Sequence, residues 1–214
     1  MKLKSVIRTV APIAAVLVAG VVLSDTYRGI RELPPKARMQ VVTPLSKTET
    51  TVNDKALPEK LAAPHVVIYK SKRRLELYDG TVLLRSYPVA LGRTPRGDKA
   101  REGDGATPEG TFFICTKNAK SRYNRFLGLS YPNIEDATRG ARTGLIKPAE
   151  LAEIRKAIEQ GKRPPWDTKL GGQIGIHGGG TARDWTQGCI AIPDEAIEEI
   201  FEVLPYGTVV VVKP

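Results

Sequence analysis

The chain is short of the residues on which many binding and catalytic classes depend. Of its 214 residues, two are cysteine, two histidine, two tryptophan, two methionine and four phenylalanine. Two cysteines cannot build a disulfide-dense scaffold or a cysteine cluster for zinc or iron–sulfur. With only His65 and His177, a multi-histidine metal centre is excluded as well, and no metal or other cofactor is expected. Long apolar runs are also missing. The longest, Val10 to Leu23, has 14 residues, which at 1.5 Å each reach about 21 Å of a bilayer core of roughly 30 Å. A polytopic membrane protein is therefore excluded, and 41% hydrophobic content excludes a wholly disordered chain. Nucleic-acid signals are equally scarce, with no aromatic-rich RNA motif and no zinc finger. The net charge is +10, but three of those charges fall in the first eight residues and two more lie within 25–62. That leaves a net +5 over residues 63–214. So modest an excess suits a soluble domain that meets an acidic polymer such as a cell wall, and no nucleic-acid partner is expected.

What is present begins with an address. Lys2, Lys4 and Arg8 precede the apolar run, the pattern of a secretory signal. Its length favours cleavage, although Val22-Leu23-Ser24 is only a loose small-x-small match. Residues 1–24 are thus expected to be a signal peptide or an uncleaved signal anchor, and either places the rest of the chain in the periplasm or cell envelope. The inner membrane would be touched only through that segment. Residues 25–62 hold Pro34, Pro35, Pro44 and Pro58 among many Thr and Lys, and read as an extended tether.

Residues 63–214 read as one mainly β domain with one or two helices packed on it, expected to be monomeric. His65 to Tyr69 is a strand. Arg74 to Tyr78 alternates around Leu75 and Leu77, Asp79-Gly80 signals a hairpin turn, and Thr81 to Val89 continues as a strand. Thr111 to Thr116 and Thr208 to Val212 are further strands. Pro148 opens a helix with Leu151, Ile154 and Ile158 on one face. A second runs from about Pro193 to Leu204 with Ile197, Ile200, Phe201 and Leu204 inward. The Gly-rich stretch Gly92 to Gly105 lacks Gly-Lys-Ser/Thr and leads into no helix, so it is a loop and no phosphate cradle.

The chemistry sits at 174–192. Ile174-Gly175-Ile176-His177-Gly178-Gly179-Gly180 is followed, twelve residues after the histidine, by Thr186-Gln187-Gly188-Cys189-Ile190. Twelve residues let the chain fold back and make Cys189 and His177 neighbours. A lone cysteine is most often a buried small hydrophobe, and Cys115 in Phe112-Phe113-Ile114-Cys115 fits that description. Cys189 differs in its flanking glycine and its His–Gly partner run. The thiolate is the nucleophilic form, and an imidazole can accept the proton or hold the thiolate as an ion pair. With His177 supporting its ionisation, Cys189 is expected to be alkylated well below pH 8. The Gly178 carbonyl can fix the His177 tautomer through Nδ1, and backbone N–H groups at Gly188 and Cys189 can face a developing oxyanion. His177-Gly-Gly-Gly mimics a lipase motif, but no Gly-x-Ser-x-Gly is present.

The pair Ile176-His177-Gly178 and Trp185-Thr186-Gln187-Gly188-Cys189 resembles the signature of the L,D-transpeptidase (YkuD-type) catalytic domain. Val89-Ala90-Leu91-Gly92, Thr107-Pro108-Glu109-Gly110-Thr111-Phe112 and Pro205-Tyr206-Gly207-Thr208-Val209-Val210 support it, over roughly 65–214. The resemblance implies a mainly β fold, a β-sandwich or barrel with one or two packed helices, and acyl transfer on peptidoglycan stem peptides. Cys189 would attack the carbonyl at the L-centre of a diamino acid, expelling a D-residue, with His177 as base and Gly178 holding it. Trp185, Thr186, Gln187 and Gly188 would shape the oxyanion and substrate region. Ala191 departs from the Arg or Asn that the family often places there. Leu129 to Asn133 and the 148–160 helix resemble a Gram-negative branch that includes hydrolases of stem-peptide and lipoprotein linkages. A wall-peptide hydrolase and a non-catalytic wall-binding protein therefore stand as the alternatives.

Overall fold

In a computed structural model the described residues are 56–214; the expected signal and most of the tether lie outside them. The first three strands follow the sequence pattern closely. β1 (Pro64–Tyr69), β2 (Arg74–Asp79) and β3 (Val82–Pro88) form an antiparallel meander. Leu75 and Leu77 of β2 are fully buried, as the alternation requires. Gly80 turns the hairpin at φ +57°, a conformation that costs an L-residue energy and glycine little. Val66, Val67 and Ile68 of β1 are all buried. Such a continuous apolar run suits a strand covered on both faces, and β1 also pairs in parallel with the last strand, β8 (Val209–Lys213).

The fourth strand is twice as long as the sequence suggested. β4 spans Gly110–Ser121 and returns as β5 (Asn124–Leu129), with Arg122 and Tyr123 at the hairpin tip. The outer half of β4, Asn118 to Lys120, is exposed and buries no side chain, so it carries no apolar alternation. Two short strands follow, β6 (Gly175–His177) and β7 (Ile190–Ala191), giving the order β3-β2-β1-β8-β4-β5-β6-β7. The sheet then meets itself. Ala90, two residues beyond β3, exchanges both backbone hydrogen bonds with Ala191 of β7 at 2.8 Å each. First and last strands thus meet through one antiparallel bridge, which curls the sheet around its core and leaves the seam beside β6 and β7.

Three helices are present among the described residues, one more than expected. α1 (Ile134–Arg142) was not signalled by periodicity, because Ala137 and Gly140 are its only buried small residues. Its start is a capping box, with the Asn133 side chain accepting from the Asp136 N–H and the Asp136 carboxylate accepting from the Asn133 N–H. α2 (Pro148–Glu159) turns Ile154 fully inward, with Leu151 and Ile158 beside it. These two helices share a small core of Ala137, Ile146, Ile154 and Leu170. α3 (Asp194–Val203) places Ile197, Ile200 and Phe201 in the main core, and Leu204 after it is buried too.

Candidate active site

β6 and β7 are parallel neighbours, with Ile176 opposite Ile190 and His177 opposite Ala191. Cys189 directly precedes β7, and His177 ends β6. Both line one cleft of about 950 Å³. The twelve-residue connection makes this possible, since parallel strands need a crossover of about that length.

The crossover is held at several points. The Asp184 carboxylate accepts two bonds from Arg73 Nε and one from Arg73 Nη2 at 2.7 Å, and it also accepts from the Leu91 N–H at 2.9 Å. Burial pushes the Asp184 carboxyl up, but the Arg73 bonds and the Leu91 N–H outweigh it and hold it below its ordinary value. The Trp185 and Thr186 N–H groups both donate to the Leu91 carbonyl at 3.1 Å. Thr186 is buried, and its hydroxyl donates to the Cys189 carbonyl at 2.7 Å and accepts from the Gly188 N–H at 3.1 Å. Thr186 therefore braces the turn before the thiol and does not face the cleft with its hydroxyl free. The Gly188 N–H, expected to face an oxyanion, is engaged by that brace. Gly188 sits at φ +136°, and a Cβ there would lie 2.8 Å from the Ala106 carbonyl oxygen and 2.9 Å from Ile174 Cδ1. Gln187 is exposed on the cleft rim.

His177 is buried and tightly oriented. Its Nδ1 lies 2.6 Å from the Gly178 carbonyl. A carbonyl can only accept, so Nδ1 carries the proton in the neutral ring and Nε2 is left as the acceptor. A Cβ on Gly178 would collide with Asp194 Oδ1 and lie 2.9 Å from the Tyr123 carbonyl oxygen. Only glycine fits there, because the Gly178 N–H donates to that carbonyl at 3.0 Å and the Gly179 N–H to Asp194 at 2.8 Å. The imidazole stacks on Tyr123 with centroids 4.7 Å apart and planes at 22°. Trp185 meets it edge-on at 5.6 Å and donates its indole N–H to the Gly180 carbonyl at 3.1 Å. Burial pushes the imidazole below its ordinary value; the Gly178 hydrogen bond opposes this, and the Arg122 charge adds to it.

The thiol is not preactivated. Burial pushes Cys189 up to about 11, while a hydrogen bond from Gly175 and the Lys99 charge pull the other way. Its Sγ donates to the Gln173 carbonyl at 3.5 Å. The resting site therefore holds a neutral thiol beside a neutral imidazole, and the ion pair that the sequence left open is disfavoured. Cys115 on β4 is a free, half-buried thiol, pushed by burial up to about 12. Cys189 is free as well, so the two do not form a disulfide. His65, at the start of β1, stacks on Tyr78 and is not part of the cleft lining. Ala191 is fully buried within its bridge to Ala90.

Sequence reasoning missed Tyr123, Arg122 and Lys99. No motif marks the first two; the β5–β6 register, Phe126 opposite His177, brings their hairpin tip to the histidine. Lys99 is buried, bonds Asp104 at 2.7 Å and lines the cleft. Arg93, Lys120 and Arg122 line it too, against one acid, Glu102, so the cleft favours an anionic ligand.

Comparison with known proteins identifies the family. The L,D-transpeptidase catalytic domain (YkuD) matches residues 63–212. The Escherichia coli K12 protein YafK, whose name assigns it provisionally to the L,D-transpeptidases, is 29% identical over 102 residues, 44% of this chain and 42% of that protein. The chain spans less than half the length of the curated relatives it matches. Among solved structures, the helical cell shape determining protein Pgp2 from Campylobacter jejuni covers 71% of this chain and 48% of its own at 24% identity and a TM-score of 0.47. An L,D-transpeptidase from Xylanimonas cellulosilytica covers 72% and 62% at 15% identity and a TM-score of 0.43. From residue 63 to residue 212, the chain belongs to the L,D-transpeptidase catalytic domain family.

Proposed function

We propose that the protein is a cysteine-dependent acyltransferase acting on peptidoglycan stem peptides in the cell envelope, to which its N-terminal segment delivers or tethers it. The observation that carries this reading is that Cys189 and His177, at the ends of paired strands β7 and β6, line one basic cleft, with Nε2 left as a proton acceptor. Stem peptides are rich in carboxylates, and the cleft offers them cations.

The steps follow from the groups present. Nε2 takes the thiol proton as Sγ attacks the carbonyl at the L-centre. The Cys189 N–H is assigned to the developing oxyanion, since that of Gly188 serves the Thr186 brace. Collapse breaks the C–N bond, and the imidazolium gives its proton to the leaving amine of the D-residue. The thioester is then attacked by an acceptor amine, whose proton returns through His177 to the sulfur. Water in that place would make the same site a hydrolase.

Intact-protein mass after exposure to a carbapenem tests the thioester step: one adduct is expected, absent in Cys189→Ala. No adduct on the wild type would leave a wall-binding protein. Muropeptide profiles test the acceptor: cross-links or exchanged D-residues are expected, and trimming alone would make the enzyme a hydrolase.

A further inference from the structure

Arg122 stands exposed at the tip of the β4–β5 hairpin, with its guanidinium carbon 4.7 Å from the centre of the Tyr123 ring. That ring is stacked on the His177 imidazole, again at 4.7 Å. The hairpin tip is fixed to the histidine loop by the Gly178 N–H, which donates to the Tyr123 carbonyl at 3.0 Å. It is braced internally by the Tyr123 N–H, which donates to Ser121 Oγ at 3.2 Å. Arg122 is thus a cation held at a set place relative to the nitrogen that moves the proton.

It is also unspent. Arg73, Arg85 and Arg139 each pair with a carboxylate, and the cleft's Lys99 pairs with Asp104. Arg122 makes no ion pair among the described residues. Arg93 and Lys120 line the cleft without an ion pair as well, but neither lies over an aromatic ring that touches His177.

The chemistry of the leaving group says what such a cation would meet. His177 returns its proton to the amine of the departing D-residue. When that residue is the last of its peptide, its carboxylate hangs on the carbon next to that amine. A carboxylate then sits one residue's breadth from the imidazole, whose stacking partner Tyr123 also carries the Arg122 guanidinium. A guanidinium presents two parallel N–H groups to a carboxylate, a match that an ammonium lacks.

We infer that Arg122 is a specificity-determining residue that binds the free carboxylate of the leaving D-residue and so selects donors cut at their C-terminal end. This rests on the acyl-transfer reading above. Steady-state kinetics of the full chain on a stem tetrapeptide ending in a D-alanine acid, and on its carboxamide, test both separately. The wild type should prefer the acid by about tenfold in kcat/KM, the scale of one hydrogen bond to a charged group. Arg122→Gln should bring the ratio close to one, mainly through KM for the acid, with an unchanged melting curve. Arg122→Lys should keep part of the preference, because the charge remains without the fork. An active wild type whose ratio equals that of Arg122→Gln would overturn the assignment and leave the acyl-transfer reading standing. A wild type inactive on both peptides, with Cys189 still open to alkylation, would overturn the acyl-transfer reading and this assignment with it.

Discussion

Replacing His177 by Gln separates two ways of using a thiol. If the resting site were a thiolate–imidazolium pair, losing the imidazole would shift the alkylation profile of Cys189 to higher pH. The structure argues for the other case. Burial pushes the thiol up to about 11 and the imidazole down, so neither group carries charge at neutral pH. An ordinary thiol near 8.5 is about 10% thiolate at pH 7.5, whereas one near 11 is about 0.03%, a deficit of roughly 300-fold. The more basic thiolate is intrinsically more nucleophilic, by about 10-fold over that interval. Alkylation of wild-type Cys189 by iodoacetamide should therefore run roughly 30-fold slower than that of free glutathione at pH 7.5, and should rise with pH to beyond 9. Peptide mapping distinguishes it from Cys115, which is pushed up to about 12. In His177→Gln the alkylation profile should stay nearly the same, since a neutral ring stabilises no thiolate. Acylation by a stem peptide or a carbapenem should nevertheless fall by at least about 10²-fold, the usual scale of a general base. A wild-type alkylation plateau reaching below pH 7 and abolished by His177→Gln would refute the neutral pair. It would also restore the ion pair that the sequence left open.

Cys189→Ser should abolish turnover on purified muropeptides, because a hydroxyl is a far weaker nucleophile at this pH; wild-type-like rates would remove Cys189 from the chemistry. Cys115→Ser should lower the melting temperature and spare activity, since Cys115 lies on β4 outside the cleft lining; lost activity with a normal melting curve would contradict that. Thr186→Val keeps the volume and removes the hydroxyl that joins Gly188 N–H to the Cys189 carbonyl. It should cost about 1–3 kcal/mol in denaturant unfolding and lower kcat more than it raises KM. Asp104, held down to about 2 by Lys99 and three backbone N–H groups against the pull of burial, contributes stability above its unfolded value near 4. That contribution is lost as pH falls from about 4 to 2, so Asp104→Asn should destabilise at pH 7 and converge with the wild type near pH 2 in chemical melts.

The wild-type sequence speaks most clearly where burial imposes a period. Leu75 and Leu77 announce β2, Asp79-Gly80 announces its turn, and Leu151, Ile154 and Ile158 announce α2. Each is a local pattern written by a face that turns to a core. β5 was silent for the opposite reason. Its partner's outer half, Asn118 to Lys120, is exposed, and its own register is set by β6, fifty residues away. α1 was silent because Gly140 lies against Leu170, where a Cβ would come within 3.0 Å; close packing replaced the apolar stripe with small residues. The His177–Cys189 pairing was legible because two motifs at a fitting spacing carry it. Tyr123 and Arg122 were not, because only the β5–β6 register delivers them. The sign of the thiol's shift was not legible either, since it depends on how much solvent the finished cleft excludes.

The position of the site in the sheet explains why so much of it consists of small residues. β6 and β7 are the last strands in the order, and Ala90 and Ala191 form the bridge that closes the sheet beside them. Closure brings three backbones together at the seam: the Val89–Gly92 segment, the Thr186–Ile190 segment, and the loop ending at Ala106 and Thr107. The contacts record that crowding. The Gly92 N–H donates to Thr107 Oγ1 at 2.9 Å, Gly92 pairs with Thr186, and Gly188 lies under the Ala106 carbonyl. A side chain at Gly92 would drive into the Gly105 carbonyl, and one at Gly188 into that of Ala106. The same backbones that close the barrel thus carry the cysteine turn and set its distance from β6. Fold closure and the placement of the sulfur are one set of contacts, which is why a glycine directly precedes Cys189.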